Sequence, residues 1–286
     1  MNILKKIVQL KHHSGFSKYF ANTSWLLGER ALRMAVSMFV SIYVVRYLGP
    51  ERYGLLSYAL SFVWLFSALA SFGLEDILVR ELVRRPEQRN YLLGTVFWLK
   101  VCGSVVMGAA IAAVLHFKAE DQQSHWLIAL IALGFLFQAT NVVEFYFQSQ
   151  VQSKFTVQTQ IMQQLITSLF KIYLVWNEAE LVWFALALML DQAVVAVLFL
   201  IMYRWKVEKF PYLSFSIIKA KLLLKDAWAL MFAGIVISVY MKIDQVMLKE
   251  MLNTKAVGVY AAAVKLCEAL KAPFELLKIV RHYTLR

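Results

Sequence analysis

An all-α membrane bundle of many spans is the fold class this sequence predicts, and three observations carry the prediction. Hydrophobic residues make up 60% of the 286 and charged residues only 17%, against about 45–50% and about 25% in soluble domains. Eight windows are long and apolar enough to cross the roughly 30 Å of a bilayer core, which takes about 20 residues of helix. The basic residues, which outnumber the acids 30 to 18, concentrate in alternate connecting segments. The mean hydropathy of +0.61 agrees.

The predicted spans lie near 24–45, 55–74, 91–117, 126–147, 157–176, 181–203, 227–248 and 256–277. The third, fourth and sixth are almost purely apolar. The first, fifth, seventh and eighth carry enough charge or Gln to fall near a hydropathy cutoff. Residues 1–23 contain Lys5, Lys6, Lys11 and Lys18 with no acid. A cleavable signal would place a short apolar core directly after a basic start, so this segment reads as a retained cytoplasmic tail. Ile3–Leu10 within it suits either a short amphipathic turn on the membrane surface or an unstructured stretch.

With the N-terminus inside, the cytoplasmic segments 1–23, 75–90, 148–156 and 204–226 hold fifteen Lys and Arg, and the outer segments 46–54, 118–125, 178–180 and 249–255 hold five. That asymmetry in short loops predicts an N-terminus in the cytoplasm. It also accounts for the formal net charge of +12 without a nucleic-acid partner. No outer segment is long enough for an enzymatic domain. Shifting the chain by 204 residues sets Gly49–Phe62 against Asn253–Leu266, with Gly54 on Gly258 and Ala59 on Ala263. Six spans separate the copies, and an even number keeps both in one orientation, as in a parallel repeat about the membrane normal. The organisation expected is a basic tail (1–23), a six-helix lobe (24–203), a basic inter-lobe loop (204–226) and about two spans of an incomplete second lobe (227–286).

Thirteen charged residues fall within the spans: Glu29, Arg30, Arg33, Lys100, Glu144, Lys171, Asp191, Lys242, Asp244, Lys265, Glu268, Lys271 and Glu275. Each costs about 2.5–3.5 kcal/mol near a helix centre on insertion scales. Those near helix ends snorkel, whereas Lys100 and Asp191 sit roughly 14–15 Å deep at about 1.5 Å per residue and must face a bundle interior or a wet cavity. Gln138, Asn141, Glu144 and Gln148 recur at helical spacing in the fourth span, and Gln160, Gln164, Thr167 and Lys171 do so in the fifth. Glu29 and Arg33 are paired at i,i+4 in the first, and Ser238, Lys242 and Gln245 share a stripe in the seventh. Such stripes suit a hydrated cavity; interhelical hydrogen-bond glue, at about 0.6–2 kcal/mol per contact, is the alternative. Arg30, Arg33, Lys100, Lys171, Lys242, Gln138, Asn141, Gln160 and Gln164 are the candidates to meet a substrate. Asp191, Asp244 and Glu144 are candidates for proton or cation coupling, with structural salt bridges as the competing role.

No phosphate-binding GxxxxGK[ST] loop, HExxH, GxSxG or CxxC occurs, so neither an enzyme, a cofactor nor a metal centre is expected. Cys102 and Cys267 lie in apolar runs, and His12 and His13 in the basic tail. Arg80, Arg84, Arg85 and Arg89 fit a positive-inside loop or contact with anionic lipid.

The run RYLGPERYGLLSYAL at Arg46–Leu60, then Phe72–Leu74 and ILVREL at Ile77–Leu82, resembles the Wzx-type polysaccharide flippases of the MOP superfamily. MKIDQVMLKEML at Met241–Leu252 and GVYAAAVKLCEA at Gly258–Ala269 do so too. The resemblance spans roughly residues 20–275. It implies a multi-pass transporter of the bacterial inner membrane that moves an undecaprenyl-diphosphate-linked oligosaccharide, for O-antigen lipopolysaccharide or a related surface polysaccharide, from the cytoplasmic to the periplasmic leaflet. Cation-coupled rocking of two lobes and cooperation with a polysaccharide polymerase and chain-length machinery come with it. Family members have twelve or more spans, so the resemblance also implies a truncated form. A multidrug/cation antiporter of the same fold, a polytopic polysaccharide polymerase or ligase, and a non-functional remnant remain the alternatives.

Overall fold

The computed structural model describes residues 14–117, 122–207 and 214–267, with the side chains of 14–27 and 29–31 outside that description. Every regular element among the described residues is helical. The helices are α1 (Ser14–Leu65), α2 (Ser67–Ser71), α3 (Glu75–Arg84), α4 (Arg89–Phe117), α5 (Gln122–Phe137), α6 (Val142–Ser149), α7 (Ser153–Trp176), α8 (Leu181–Lys206), α9 (Ile217–Met251) and α10 (254–267). Single 3₁₀ turns join α3 to α4 and α5 to α6.

Two predicted spans lie in α1. Its helical path breaks at Gly49 (φ 69°, ψ 173°), directly before Pro50. The left-handed φ is easy only without a Cβ, and the proline supplies a preset φ for the first turn of the new arm. The arms run beside each other: Ser37, Val40 and Val44 of the first line one cavity with Tyr53, Leu56 and Leu60 of the second. A continuous helix would separate Ser37 from Leu60 by about 35 Å at 1.5 Å per residue. The sequence places a loop at 46–54; the structure replaces all but one of its residues by helix.

Five helical stretches are long and apolar enough to cross a membrane: Leu32–Leu65, Pro86–Phe117, Gln122–Ser149, Leu181–Lys206 and Ile217–Met251. They contain four of the eight predicted spans whole, and Leu32–Leu65 takes in parts of two more, 24–45 and 55–74; they mark a multi-pass membrane protein. The fifth predicted span forms α7, whose Gln160, Gln163, Gln164 and Lys171 keep it out of this set. Of the eighth, residues 268–277 lie outside the described part. The predicted connection 75–90 is largely the amphipathic α3, which buries Ile77, Leu78 and Leu82. The predicted connection 204–226 is shortened from both sides, because α8 runs to Lys206 and α9 begins at Ile217.

Helix α7 packs on α1 and α8, α8 on α5, and α9 along α1 and α2. Two cores stack along the bundle. One joins Val44, Tyr58 and Val63 of α1 to Met107 and Ile111 of α4, Leu127 and Ile128 of α5, and Phe184 and Ala185 of α8. The other, at the opposite end, joins Leu78 and Leu82 of α3 to Leu92 and Leu93 of α4, Val142 and Phe147 of α6, Phe199 and Tyr203 of α8, and Leu223 of α9. Lipid tails offer no hydrophobic drive between helices, so close backbone approach carries the packing. Gly103 shows this: a Cβ there would lie 2.5 Å from the Leu69 carbonyl oxygen and 2.9 Å from that of Ala70. Gly103→Ala is therefore expected to cost about 1–3 kcal/mol by overpacking, while Gly108→Ala, with open space around it, is expected to hold or raise the unfolding temperature in detergent, since alanine is favoured in a helix by about 0.5–1 kcal/mol.

Candidate functional site

The helix pair α7–α8 sets the site. Lys171 and Asp191 are 20 residues apart on adjacent helices, and packing brings Lys171 Nζ to 2.5 Å from Asp191 Oδ2. The side chains are 22% and 17% exposed, so neither charge is fully hydrated. Gln163 Nε2 donates to the other carboxylate oxygen at 3.0 Å and also reaches Thr167 Oγ1 at 3.3 Å. Gln164 Nε2 donates to Ser168 Oγ at 3.1 Å. Every polar group of this patch is held by another, as a buried network requires.

The patch opens onto a cavity of about 290 Å³ whose lining includes Lys171, Asp191, Gln164 and Ser168 from α7 and α8. Ser37, Ser41, Tyr53 and Ser57 face it from α1, and Lys265 from α10. A second cavity, of about 370 Å³, shares Ser41 and Lys265 with the first but is lined otherwise by Met38, Ile42, Val45, Ala262, Leu266 and Arg46. A chamber with two lysines and four serines set among apolar side chains such as Val44, Leu60 and Phe184 thus adjoins a more apolar one. Tyr47 OH, donating to the Ala179 carbonyl at 3.0 Å, ties the first arm of α1 to the α7–α8 turn beside them.

The remaining sequence candidates are distributed elsewhere. Lys100 is 3% exposed, with Nζ 3.4 Å from Glu75 Oε1 and 5.1 Å from the centre of the Phe145 ring. Glu144 accepts from Gln160 Nε2 at 3.0 Å and lies within electrostatic reach of Arg33, Glu75 and Lys100. This second charged cluster joins α1, α3, α4, α6 and α7 but does not line the cavity. Asn141 Oδ1 is buried without a hydrogen-bond partner, and Gln138 is half-buried in the adjoining 3₁₀ turn. Arg30 lies outside the described side chains. The α9 stripe turns toward α1 and α2: Ser238 Oγ is 3.3 Å from Ser67 Oγ, and Gln245 Oε1 accepts from Ser61 Oγ at 2.8 Å. Those two residues join helices, while half-buried Lys242 lines neither cavity. Asp244 accepts from Tyr260 OH and from the Gln245 amide, so it holds α10 against α9.

The profile of a family described as polysaccharide biosynthesis protein matches residues 19–273. The chain belongs to this family. No curated protein matches it, and no solved structure does. In this polysaccharide biosynthesis protein the matched span contains all the helices that build the cavity and the charged cluster. Gln163, Glu75, Tyr53, the lining serines and Lys265, counted among the charges in the spans but not as a cavity residue, are the members that sequence reasoning missed. Serine and tyrosine are unremarkable in a membrane helix, and Gln163 falls between the two glutamines that keep helical spacing with Lys171. No group of three or more His, Cys, Asp or Glu suited to a metal occurs among the described residues.

Proposed function

We propose that the protein is a flippase for a polyprenyl-diphosphate-linked oligosaccharide, carrying it from the cytoplasmic to the periplasmic leaflet of the bacterial inner membrane. The observation that carries this reading is the chamber holding Lys171, Lys265 and four serines, adjoining a more apolar one, within a multi-pass polysaccharide biosynthesis protein. A diphosphate head group cannot cross hydrocarbon without exchanging its water for other donors, and a polyprenyl tail has no need to leave the apolar phase. Lysines and serines replace water around phosphate and sugar oxygens; Met38, Ile42, Val45 and Leu266 suit the tail. At about 290 Å³ the first chamber is at the low end of ligand pockets, about 300–1,000 Å³. It therefore suits the diphosphate and first sugar rather than the whole oligosaccharide.

Asp191 gives the cavity its coupling group in this account. It is a carboxylate whose charge is matched by Lys171 when no anion is present, and an arriving diphosphate competes for that lysine. A proton or cation taken up by Asp191 compensates the exchange. O-antigen lipopolysaccharide assembly, with a polymerase downstream, is the pathway such cargo serves. The N-terminus faces the cytoplasm in this orientation, with residues 24–203 as the first lobe and 227–286 as part of the second. Seven basic against six acidic residues in the predicted spans favour an anionic cargo over the cationic drugs of an antiporter. Expression in a bacterial strain lacking its own repeat-unit flippase tests the reading. Restored surface polysaccharide supports it, and accumulation of lipid-linked repeat units inside the cell despite membrane insertion of the protein contradicts it.

A further inference from the structure

A charged surface lies at the end of the bundle that holds the second core, away from the cavity. Arg80 Nη2 donates to Asp226 Oδ2 at 2.8 Å, and Lys219 Nζ donates to Gln88 Oε1 at 2.7 Å. These contacts join the end of α3, the 3₁₀ turn after it and the start of α9 into one face. Residues 80–89 and 219–226 together carry seven bases against three acids. Glu81 alone faces three guanidiniums, with Arg80 Nε at 3.4 Å, Arg85 Nε at 3.8 Å and Arg84 Nη1 at 4.0 Å. Arg80 has Asp226 as a second carboxylate. Arg84 and Arg85, both exposed, therefore share an anion that neither meets at hydrogen-bond length. Lys219 is set beside them by groups without negative charge, the Gln88 amide oxygen and the Tyr91 ring, whose centre is 5.2 Å from Nζ. Arg85 and Glu87 are within electrostatic reach of it.

The depth of this face indicates which anion suits it. Ile217, Ile218 and Leu222 are 60%, 71% and 55% exposed, and they belong to the same two turns of α9 as Lys219. Tyr91, which carries the lysine on its ring, is itself exposed. In water such a group of apolar side chains would be an association hazard. In a bilayer it meets acyl chains, and a tyrosine with a basic partner marks the border with the head groups. Cations and acyl-facing side chains thus share one level. A phosphate in the head-group layer supplies the acceptors that Arg84, Arg85 and Lys219 can take up, with charge-assisted hydrogen bonds. The chain attached to it lies at the depth of Ile218 and Leu222. Basic pockets between helices at this depth are the usual means by which membrane proteins select anionic lipid.

We propose that Arg84, Arg85, Lys219 and Tyr91 form a specific site for an anionic phospholipid, with its phosphate between the guanidiniums and the Lys219 ammonium and an acyl chain along Ile218 and Leu222. The site is separate from the cavity, and the proposal stands whether or not the protein transports a lipid-linked sugar.

The full chain, purified in a neutral detergent and stripped of lipid, is titrated with phosphatidylglycerol or with phosphatidylcholine, and native mass spectrometry counts the lipids bound. Phosphatidylglycerol is expected to bind at least about tenfold more tightly. Arg85→Gln and Lys219→Gln are each expected to weaken its binding about fivefold, the contribution of one basic residue near anionic lipid, and together about 25-fold, as independent contributions do. Lys219→Arg keeps the charge and is expected within about twofold of wild type. Arg204→Gln removes an exposed charge from the end of α8, at the same end of the bundle but outside the cluster, and is expected to change nothing. Arg85 is exposed, so Arg85→Gln carries the test even where Lys219→Gln does not fold. Equal binding of the two lipids, or a loss in Arg204→Gln as large as in Arg85→Gln, would make this a general basic face and overturn the proposal. Displacement of the lipid by an equal concentration of glycerol phosphate, which has the charge and no chain, would overturn it too.

Discussion

Lys171→Met is expected to abolish leaflet transfer and to lower stability. The substitution removes the cation 2.5 Å from Asp191 Oδ2 and leaves the carboxylate with Gln163 as its side-chain donor. Uncompensated burial of one member of a dry ion pair costs about 3–5 kcal/mol; with the side chains 22% and 17% exposed onto a cavity, about 1–3 kcal/mol is the appropriate scale. Asp191→Asn is milder, because the amide oxygen still accepts from Lys171 and the ammonium that loses its counter-charge sits on a long stem that can turn it toward the cavity. The double substitution Lys171→Met with Asp191→Leu removes both charges together and is expected to regain most of the stability while transfer stays absent. Thermal unfolding in detergent and transfer in proteoliposomes, measured on the same four proteins, separate the two effects. A double variant that transports at the wild-type rate would make the pair purely structural.

Lys100→Glu is expected to prevent accumulation of folded protein, whereas Lys100→Met is expected to be tolerated. Lys100 is 3% exposed and faces Glu75 at 3.4 Å, with Glu144 in electrostatic reach. A third carboxylate at this point turns attraction into repulsion, about 4 kcal/mol for a pair at 4 Å under an effective dielectric constant near 20. A buried-ion desolvation cost of several kcal/mol adds to it. That total approaches a typical folding stability of about 5–15 kcal/mol. Methionine preserves the aliphatic stem and the contact with the Phe145 ring, and Glu75, 51% exposed, does not need the partner to remain solvated. Removing one partner of an ion pair is costly mainly when the other is left buried and uncompensated, which Glu75 is not. Because Lys100 does not line the cavity, transfer by Lys100→Met is expected within about twofold of wild type, a change smaller than RT in free energy. Membrane-inserted yield and transfer rate check both halves.

What could be read from the sequence follows the physics of each signal. Spans such as 91–117 and 181–203 were legible because a long apolar run has few uses other than crossing a bilayer. Helix α7 was legible as an apolar window lowered toward the hydropathy cutoff by its glutamines and Lys171. The chain reversal at Gly49 was expected as a loop because Gly–Pro marks a break, but the mark does not say that one residue suffices. Polar stripes showed which faces avoid lipid and not what those faces meet: Ser238 and Gln245 of one stripe meet serines of α2 and α1, whereas Gln164 and Lys171 of another meet a cavity. The partnership of Lys171 with Asp191 depends on the relative register of two helices, and a single sequence contains no term for it. Glu75 escaped notice because it begins an amphipathic helix, where an acid is ordinary. Gly54 and Gly258, by contrast, correspond under the repeat, and the structure packs each against the other's segment.

The central claim is that this cavity moves a lipid-linked sugar between leaflets. The direct measurement uses proteoliposomes holding the full chain and a fluorescent polyprenyl-diphosphate oligosaccharide, with an impermeant quencher reporting the leaflet. The account predicts transfer well above that of empty liposomes, lost in Lys171→Met and kept in Lys100→Met. Wild-type transfer no faster than in empty liposomes, or equal transfer by both variants, would contradict it.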